Sequence, residues 1–372
     1  MALLSSERVK KMSEKKALQN IRKQIDEIDL QVQVLLNQRA SMAQEVARIK
    51  IANGEKTDFY RPEREAMVLR QVMDRNQGPL EAKEVARLFR EIMSACLAAE
   101  KALQVAYLGP EGSFTQAAAL KQFGGSIDPK PLSTIAEVFH EVEVGNASYG
   151  VVPVENSTEG MVTHTLDEFI NTSLKINGEV SLRIHHYLLS KETDLANVRT
   201  IYGHPQALAQ CRKWLAAHCS DCEQVAVSSN SEAAKKVAGV VNAAAIAANR
   251  AAEIYQLQTL ASNIEDSADN TTRFLVIGRQ DIGPSGDDKT ALLVSTKNQP
   301  GALHSLLEPL AKSGITMSKI ESRPSKKGMW EYVFFIDIEG HRGDADVALA
   351  LEKLEQASSM CRVLGSYPKA VL

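Results

Sequence analysis

KKALQNIRKQIDEIDLQVQVLLNQRASMAQEVARIKIAN (residues 15–53) runs without proline or glycine until Gly54. Apolar residues recur at 18, 21, 25, 28, 32, 35, 42, 46 and 49. That alternating spacing of three and four predicts one long helix with a single buried seam. Position 39 belongs to the seam, yet it holds Arg39. A guanidinium among apolar side chains is costly unless an anion meets it. Lys50 lies roughly 20° around the helix from Arg39 and ~16 Å along it. Two cations on one buried face point to an anionic ligand inside a helical bundle.

Arg22 stands ~42 Å from Lys50 along the same helix, so a small anion cannot touch both within one chain. In an antiparallel pair, Arg22 of one copy approaches Arg39 and Lys50 of the other. The expectation is an intertwined homodimer with two composite sites; whether dimers pair into tetramers stays open. A second helix is predicted from Pro62, a favoured first helical residue, to about Asn76, with Gly78-Pro79 ending it. A third runs from about Glu81 to Leu103, with Val85, Leu88, Phe89, Ile92, Met93 and Leu97 on one face. Three helices, one of them ~58 Å long, cannot bury that seam in a single copy.

The 372 residues suffice for two or three domains. Hydrophobic content of 44% and charged content of 24% are ordinary globular values. A net charge of −3 argues against nucleic acid as a partner. Residues 1–104 carry 19 Lys and Arg against 15 Asp and Glu, so this segment is cationic and the remainder acidic. No run of ~18 apolar residues offers a membrane span. MALLSSERVKKMSEKK lacks the apolar core of a signal peptide, so a cytoplasmic protein is expected, with mobile residues before Lys15. Cys219 and Cys222 form an isolated CxxC, read as thiols near a helix end rather than as a metal site.

Residues 105–285 alternate strand and helix, an α/β pattern. Strands are predicted at 104–108, 149–154, 178–190, 198–203, 223–228 and 272–279. Helices are predicted at 114–122, 133–144, 162–171, 205–217, 231–238 and 243–255. The parts 105–180 and 190–265 read as paired lobes with a cleft. GPSGDD (283–288) is a linker. Residues 289–372 read strand 290–296, helix 301–313, strands 315–323 and 330–338, helix 344–357 and strand 360–366. That βαββαβ order is the ferredoxin-like unit.

Three sets of motifs carry a family resemblance. NIRKQIDEID, LLNQRASMAQEVARIK and YRPERE resemble the helical chorismate mutases. That resemblance implies that Arg22 and Arg39 hold the substrate's two carboxylates, that Lys50 points at its ether oxygen, and that Glu65 meets its ring hydroxyl. Arg64 belongs to the same set. Glu100 stands where relatives commonly carry a Gln that donates to the ether oxygen. A carboxylate cannot donate, so Glu100 is expected to be protonated in the complex. Cys96 and Arg61 are further departures, standing where relatives carry Ser and Asp. The rearrangement needs no nucleophile, cofactor or metal; orientation and donors at the ether oxygen would carry it.

YLGPEGSFTQAA (107–118), VVPVENSTEG (151–160), GHPQALAQC (203–211) and SNIEDSADNTTRF (262–274) resemble prephenate dehydratase. Ligands of α/β folds bind in the crevice at strand ends, where these stretches fall. The resemblance implies a two-lobed cleft like that of periplasmic binding proteins, with Thr272 catalytic. Phe274 is expected to pack against it and Glu155 to share its proton chemistry. Asn156, Ser113 and Gln210 are candidate substrate hydrogen-bonders. His164, His185, His186 and His204 read as structural. Neither Ser113 nor Ser157 sits in a GxSxG elbow, which argues against a serine hydrolase.

QPGALHSLL (299–307) and KIESRPS (319–325) resemble an ACT regulatory domain. Gly301, Ala302 and Leu303 open a helix whose free N–H groups can hold a carboxylate. Glu321, Ser322, Arg323 and Pro324 follow a strand that could face a second copy. The resemblance implies phenylalanine bound between paired units as a feedback inhibitor. The expectation is therefore a multidomain chain. An all-α mutase module (1–104) precedes an α/β dehydratase module (105–285) and an α+β ACT module (286–372). Together they would carry chorismate through prephenate to phenylpyruvate. A dehydratase with a purely dimerising helical module, and a non-catalytic amino-acid sensor, are the alternatives.

Overall fold

The computed structural model describes residues 2–54, 60–296, 299–324 and 332–372, with side chains from residue 14 onward. Three helices come first: α1 (Ala2–Ala52), α2 (Pro62–Asp74) and α3 (Ala82–Ala98). Then follow β1 (Gln104–Leu108), α4 (Phe114–Phe123), β2 (Asp128–Leu132), α5 (Ile135–Glu143), β3 (Tyr149–Asn156), β4 (Gly160–Met161), α6 (Thr163–Asn171) and β5 (Lys175–Arg183). The next stretch holds β6 (Tyr187–Ser190), β7 (Thr200–Gly203), α7 (Pro205–Gln210), α8 (Arg212–His218), β8 (Glu223–Ala226), α9 (Asn230–Val237), β9 (Ala243–Ala247), α10 (Asn249–Tyr255), β10 (Gln258–Ala261) and β11 (Thr271–Gly278). The last part is β12 (Asp288–Ser295), α11 (Ala302–Lys312), β13 (Met317–Pro324), β14 (Tyr332–Glu339), α12 (Ala345–Ala357) and β15 (Met360–Pro368).

The chain divides into two compact units. The first contains α1 and residues 95–101. Helix α1 has 51 residues and starts well before Lys15, because nothing in the first turns breaks it. Its seam residues Leu18, Ile21, Ile25, Ile28, Val32, Leu35, Met42, Val46 and Ile49 are 48–64% exposed. A helix of this length has almost nothing in its own unit to cover it.

The second unit contains α2, most of α3 and everything after Lys101. Helix α2 packs on β15 of the ferredoxin-like unit, and α3 is bonded to α4 of the α/β module. The Tyr60 ring lies 5.1 Å from Phe123 and 5.4 Å from Tyr149. Arg90 donates to the Lys121 carbonyl at 2.8 Å, and Arg70 donates to the carbonyl and hydroxyl of Ser285 at 3.0 Å. The two packing units therefore divide at residues 59–60, 94–95 and 101–102. The expected linker is a tied turn, with the Ser285 N–H and hydroxyl both donating to the Asp288 carboxylate.

The α/β part is two-lobed. The first lobe carries a sheet of order β2-β1-β3-β11-β5, with β4 added beside β3. The second carries β10-β6-β9-β7-β8. The chain crosses between lobes at residues 184–186 and returns at 262–270, so the strand expected over 178–190 is two strands in different sheets. The crossings lie side by side, with the Ile184 N–H donating to the Asn270 carbonyl at 2.8 Å.

Two other expectations fail for physical reasons. Residues 243–247 were expected within a helix, because alanine favours helices. They form β9, fully buried between β6 and β7, where ladder bonds on both edges outweigh propensity. Asp128–Leu132 forms β2 despite two prolines; it is an edge strand, which tolerates missing donors.

The ferredoxin-like unit has sheet order β13-β14-β12-β15. Helices α11 and α12 cover one face through Leu306, Leu310, Val347 and Leu354. The other face joins the first lobe's core, where Leu293, Phe335, Leu364 and Tyr367 cluster with Phe169 and Ile176. Contact is so close at Gly365 that an added Cβ would stand 2.1 Å from the Ile176 carbonyl oxygen. Residues 330–331, the expected start of the third strand, lie outside the described residues.

Candidate active sites

Strands β3 and β11 run antiparallel and pair Thr272 with Asn156, then Arg273 with Glu155. Side chains alternate across a sheet, so the two pairs face opposite sides. Thr272 and Asn156 face a cleft of about 450 Å³ between the lobes, lined also by Phe114, His186, Gln210 and Asn270. Arg273 and Glu155 face the ferredoxin-like unit. Arg273 bonds Glu179 at 2.8 Å, Asp337 at 2.8 Å and the Tyr367 hydroxyl at 3.0 Å. Glu155 pairs with Lys319 of β13.

The amide of Asn156 organises the cleft. Its Nδ2 donates to Thr272 Oγ1 and to Asn270 Oδ1, each at 2.8 Å. Its Oδ1 accepts from the Thr158 N–H at 3.0 Å, the Thr158 hydroxyl at 2.6 Å and the Glu159 N–H at 3.1 Å. Reversing the amide would turn its N–H groups toward the N–H groups of Thr158 and Glu159, donor against donor. Thr272 Oγ1 is thereby bound to accept from Asn156. Its own O–H has no acceptor among the described residues and is free to donate into the cleft.

Gln210, the last residue of α7, continues this network. Its Oε1 accepts from Asn270 Nδ2 at 3.1 Å and meets His186 Nε2 at 2.9 Å. Burial holds the His186 imidazole below its ordinary pKa, which favours its neutral form. Its backbone N–H donates to Glu265 Oε2 at 2.9 Å, and His185 Nδ1 meets Glu265 Oε1 at 2.7 Å. Burial alone would raise the Glu265 carboxyl, but these bonds outweigh it and hold it below its ordinary value.

The remaining expected cleft residues lie elsewhere. Ser113 caps α4, accepting from the Gln116 N–H at 3.3 Å and donating to the Leu108 carbonyl at 3.2 Å. Phe114, its neighbour, lines the cleft instead. Phe274, expected to pack against Thr272, is 1% exposed and opposite Pro153 of β3, past an irregularity in the ladder between Arg273 and Phe274. Glu155 faces away, toward Lys319.

Among the mutase candidates, Arg22 is exposed on α1, and Arg39 and Lys50 are half-buried. Glu100 stands near Lys50; burial raises its carboxyl and the Lys50 charge partly offsets that. In the second unit, Arg64 is exposed and Glu65 is paired with Arg90 at 3.2 Å. Burial pushes the Glu65 carboxyl up to about 7, against the pull of Arg90.

At the third candidate site, Gly301 adopts the left-handed conformation (φ +78°) as the N-cap of α11, with Ala302 and Leu303 opening the helix. Glu321, Ser322, Arg323 and Pro324 lie on β13, the edge strand. Arg323 bonds Asp167 of α6 at 2.9 Å. Ser325 lies outside the described residues.

Sequence reasoning passed over Asn270 and read His186 as structural. Asn270 sat inside a quoted motif, but nothing local marks it as the link between Asn156 and Gln210.

Three family descriptions tile the chain: chorismate mutase type II over residues 21–101, prephenate dehydratase over 105–282 and ACT domain over 290–356. A bifunctional chorismate mutase/prephenate dehydratase of Stutzerimonas stutzeri is 55% identical over 365 residues, 97% of this chain and 100% of that protein. Its counterpart in Pseudomonas aeruginosa is 54% identical over 365 residues, with the same shares of each chain. Among solved structures, prephenate dehydratase from Arthrobacter aurescens in complex with L-Phe aligns with a TM-score of 0.66 at 35% identity. That alignment covers 72% of this chain and 90% of the other.

Proposed function

The chain belongs to the bifunctional chorismate mutase/prephenate dehydratase family, and from that premise we propose how its residues divide the work. Both activities and the ACT domain follow from membership. The finer assignment gives residues 1–104 to the mutase, 105–285 to the dehydratase and 286–372 to regulation by phenylalanine.

The dehydratase reading is carried by the free Thr272 proton. Prephenate must lose its ring carboxylate as carbon dioxide and its ring hydroxyl as water. The carbon–carbon bonding pair completes the aromatic ring while the carbon–oxygen bond breaks, and the departing hydroxide takes up one proton. Thr272 is held with its oxygen accepting from Asn156 and its hydrogen available, so it donates a hydrogen bond to the leaving hydroxyl as charge develops there, and the proton that completes the product water comes from solvent. Gln210 supplies N–H groups that suit a substrate carboxylate. Glu155 acts from behind the sheet, holding β3 through Lys319. Ser113 shapes the cleft by fixing the start of α4, and Phe274 anchors the Thr272 strand from within the core.

For the mutase, Arg22, Arg39, Lys50, Arg64, Glu65 and Glu100 remain the proposed set. The exposed seam of α1 supports a second copy as its cover, and that pairing would bring Arg22 of one chain to Arg39 and Lys50 of the other. Lys50 and a protonated Glu100 would then donate to the ether oxygen of chorismate. Phenylalanine would bind at the Gly301–Leu303 turn and the Glu321–Pro324 strand, the positions that the ACT resemblance nominates.

The test is a chorismate-to-phenylpyruvate assay on the full chain, with and without phenylalanine, repeated on Thr272→Ala. Prephenate should accumulate in the variant at the normal rate while phenylpyruvate formation collapses. Phenylpyruvate formed at the normal rate by Thr272→Ala would overturn the assignment.

A further inference from the structure

The hydrogen-bond chain behind Thr272 has a direction that can be worked out atom by atom. Three donors converge on Asn156 Oδ1, so its Nδ2 must donate to Asn270 Oδ1. Asn270 is then oriented: its Nδ2 donates at 3.1 Å, and the Gln210 atom that receives it is the amide oxygen. That same oxygen lies 2.9 Å from His186 Nε2. Two acceptors cannot share this contact, so Nε2 carries the hydrogen. The neutral imidazole has only one, which leaves Nδ1 bare, and Nδ1 is indeed buried without a hydrogen-bond partner among the described residues.

From this geometry we propose that His186 is a positioning residue of the dehydratase, whose Nε2–H determines which end of the Gln210 amide faces the substrate. With its oxygen held by His186 and Asn270, Gln210 turns its Nε2 to the cleft wall. There it makes only long bonds, 3.3 Å to Thr158 Oγ1 and 3.4 Å to Glu159 Oε1. Those N–H groups can transfer to a substrate carboxylate. A reversed amide would present a carbonyl oxygen to the same anion. His186 itself cannot drift. It is 2% exposed, its backbone N–H is held by Glu265, and Phe114 stands edge-on at 5.7 Å between ring centroids. The Thr272 end is less sensitive, because Asn156 has its own anchors at Thr158 and Glu159. Loss of His186 therefore acts mainly on substrate binding. The inference rests on prephenate occupying this cleft.

Histidine-selective 15N spectra of the full-length protein test the tautomer without any substitution. The expected result is a neutral His186 ring with Nε2 protonated; a hydrogen on Nδ1 would overturn the proposal. Kinetics then test the role. His186→Phe should lower kcat/KM for prephenate at least tenfold, chiefly through KM, since a hydrogen bond to a charged group is at stake. His186→Gln, which can again offer an N–H, should recover most of it. In a Gln210→Leu background, His186→Phe should add nothing, because its target is gone. An equal loss in both backgrounds would reveal a merely structural histidine and refute the proposal. Mutase activity of each variant reports folding of the same chain. Should wild-type protein form no phenylpyruvate, the functional reading fails, and the tautomer experiment still judges the His186 geometry separately.

Discussion

Asn156→Asp is the sharpest perturbation of the dehydratase site, because it changes one atom and turns the donor of two hydrogen bonds into an acceptor. The substituted carboxylate keeps the acceptor that Thr158 and Glu159 require, at 2.6–3.1 Å, so the local turn should persist. On its other side, the N–H groups that lie 2.8 Å from Thr272 Oγ1 and Asn270 Oδ1 become lone pairs. The Thr272 hydroxyl must then donate to the new carboxylate, and its proton is no longer available to the leaving group. Removing one donor from a developing anion typically lowers kcat by about 10²–10³, or about 3–4 kcal/mol. Thr272→Val should cost a similar factor, since it removes the same proton. The decisive quantity is the double variant. If both substitutions silence one donor, the combined loss in kcat should match either single loss instead of their product. Steady-state phenylpyruvate formation at saturating prephenate measures it. An Asn156→Asp enzyme retaining kcat within fivefold of wild type would refute the reasoning, as would a multiplicative cycle.

Three further outcomes are expected. Burial raises the Glu100 carboxyl, and the mutase proposal needs it protonated; activity should fall as pH rises through that raised pKa, and Glu100→Gln should abolish that limb of the profile. Lys319→Met cuts the ion pair between the ACT edge strand and Glu155, so phenylalanine inhibition should weaken by a factor of roughly 5–150, the usual span of allosteric coupling, as read from the inhibition curve. Ile28→Glu puts a charge on the exposed seam of α1, where each large apolar side chain covered by a partner contributes about 1.5–3 kcal/mol. Sedimentation should show a smaller species that has lost mutase activity and kept Thr272-dependent dehydration.

Local patterns made much of this legible. The three-four spacing from Leu18 to Ile49 is a property of one helix and needs no partner to be read. The βαββαβ order depends on short periodicities and turn residues, and it matches the fold strand for strand where the residues are described. The misreadings arose where long-range packing overrode local preference. Ala243–Ala247 looks helical because alanine is the best helix former, but the advantage is at most about 0.7 kcal/mol per residue over ordinary competitors. Burial and two neighbouring strands outweigh that. Ser113 stood in a conspicuous motif, yet its hydroxyl caps a helix.

The sequence by itself determined the order of the modules, the cationic seam around Arg39 and the motifs that nominate Thr272, Asn156 and Gln210. Those are features of residue type and near-neighbour spacing. Only the tertiary structure decided where the bonds go. It placed α2 against β15 and α3 against the dehydratase lobe. It turned Glu155 to Lys319 and Arg273 to Glu179 and Asp337, and linked His186 to Thr272 through three amides. The reason is that a side-chain amide can present either end. Its direction depends on donors and acceptors that folding brings from distant parts of the chain.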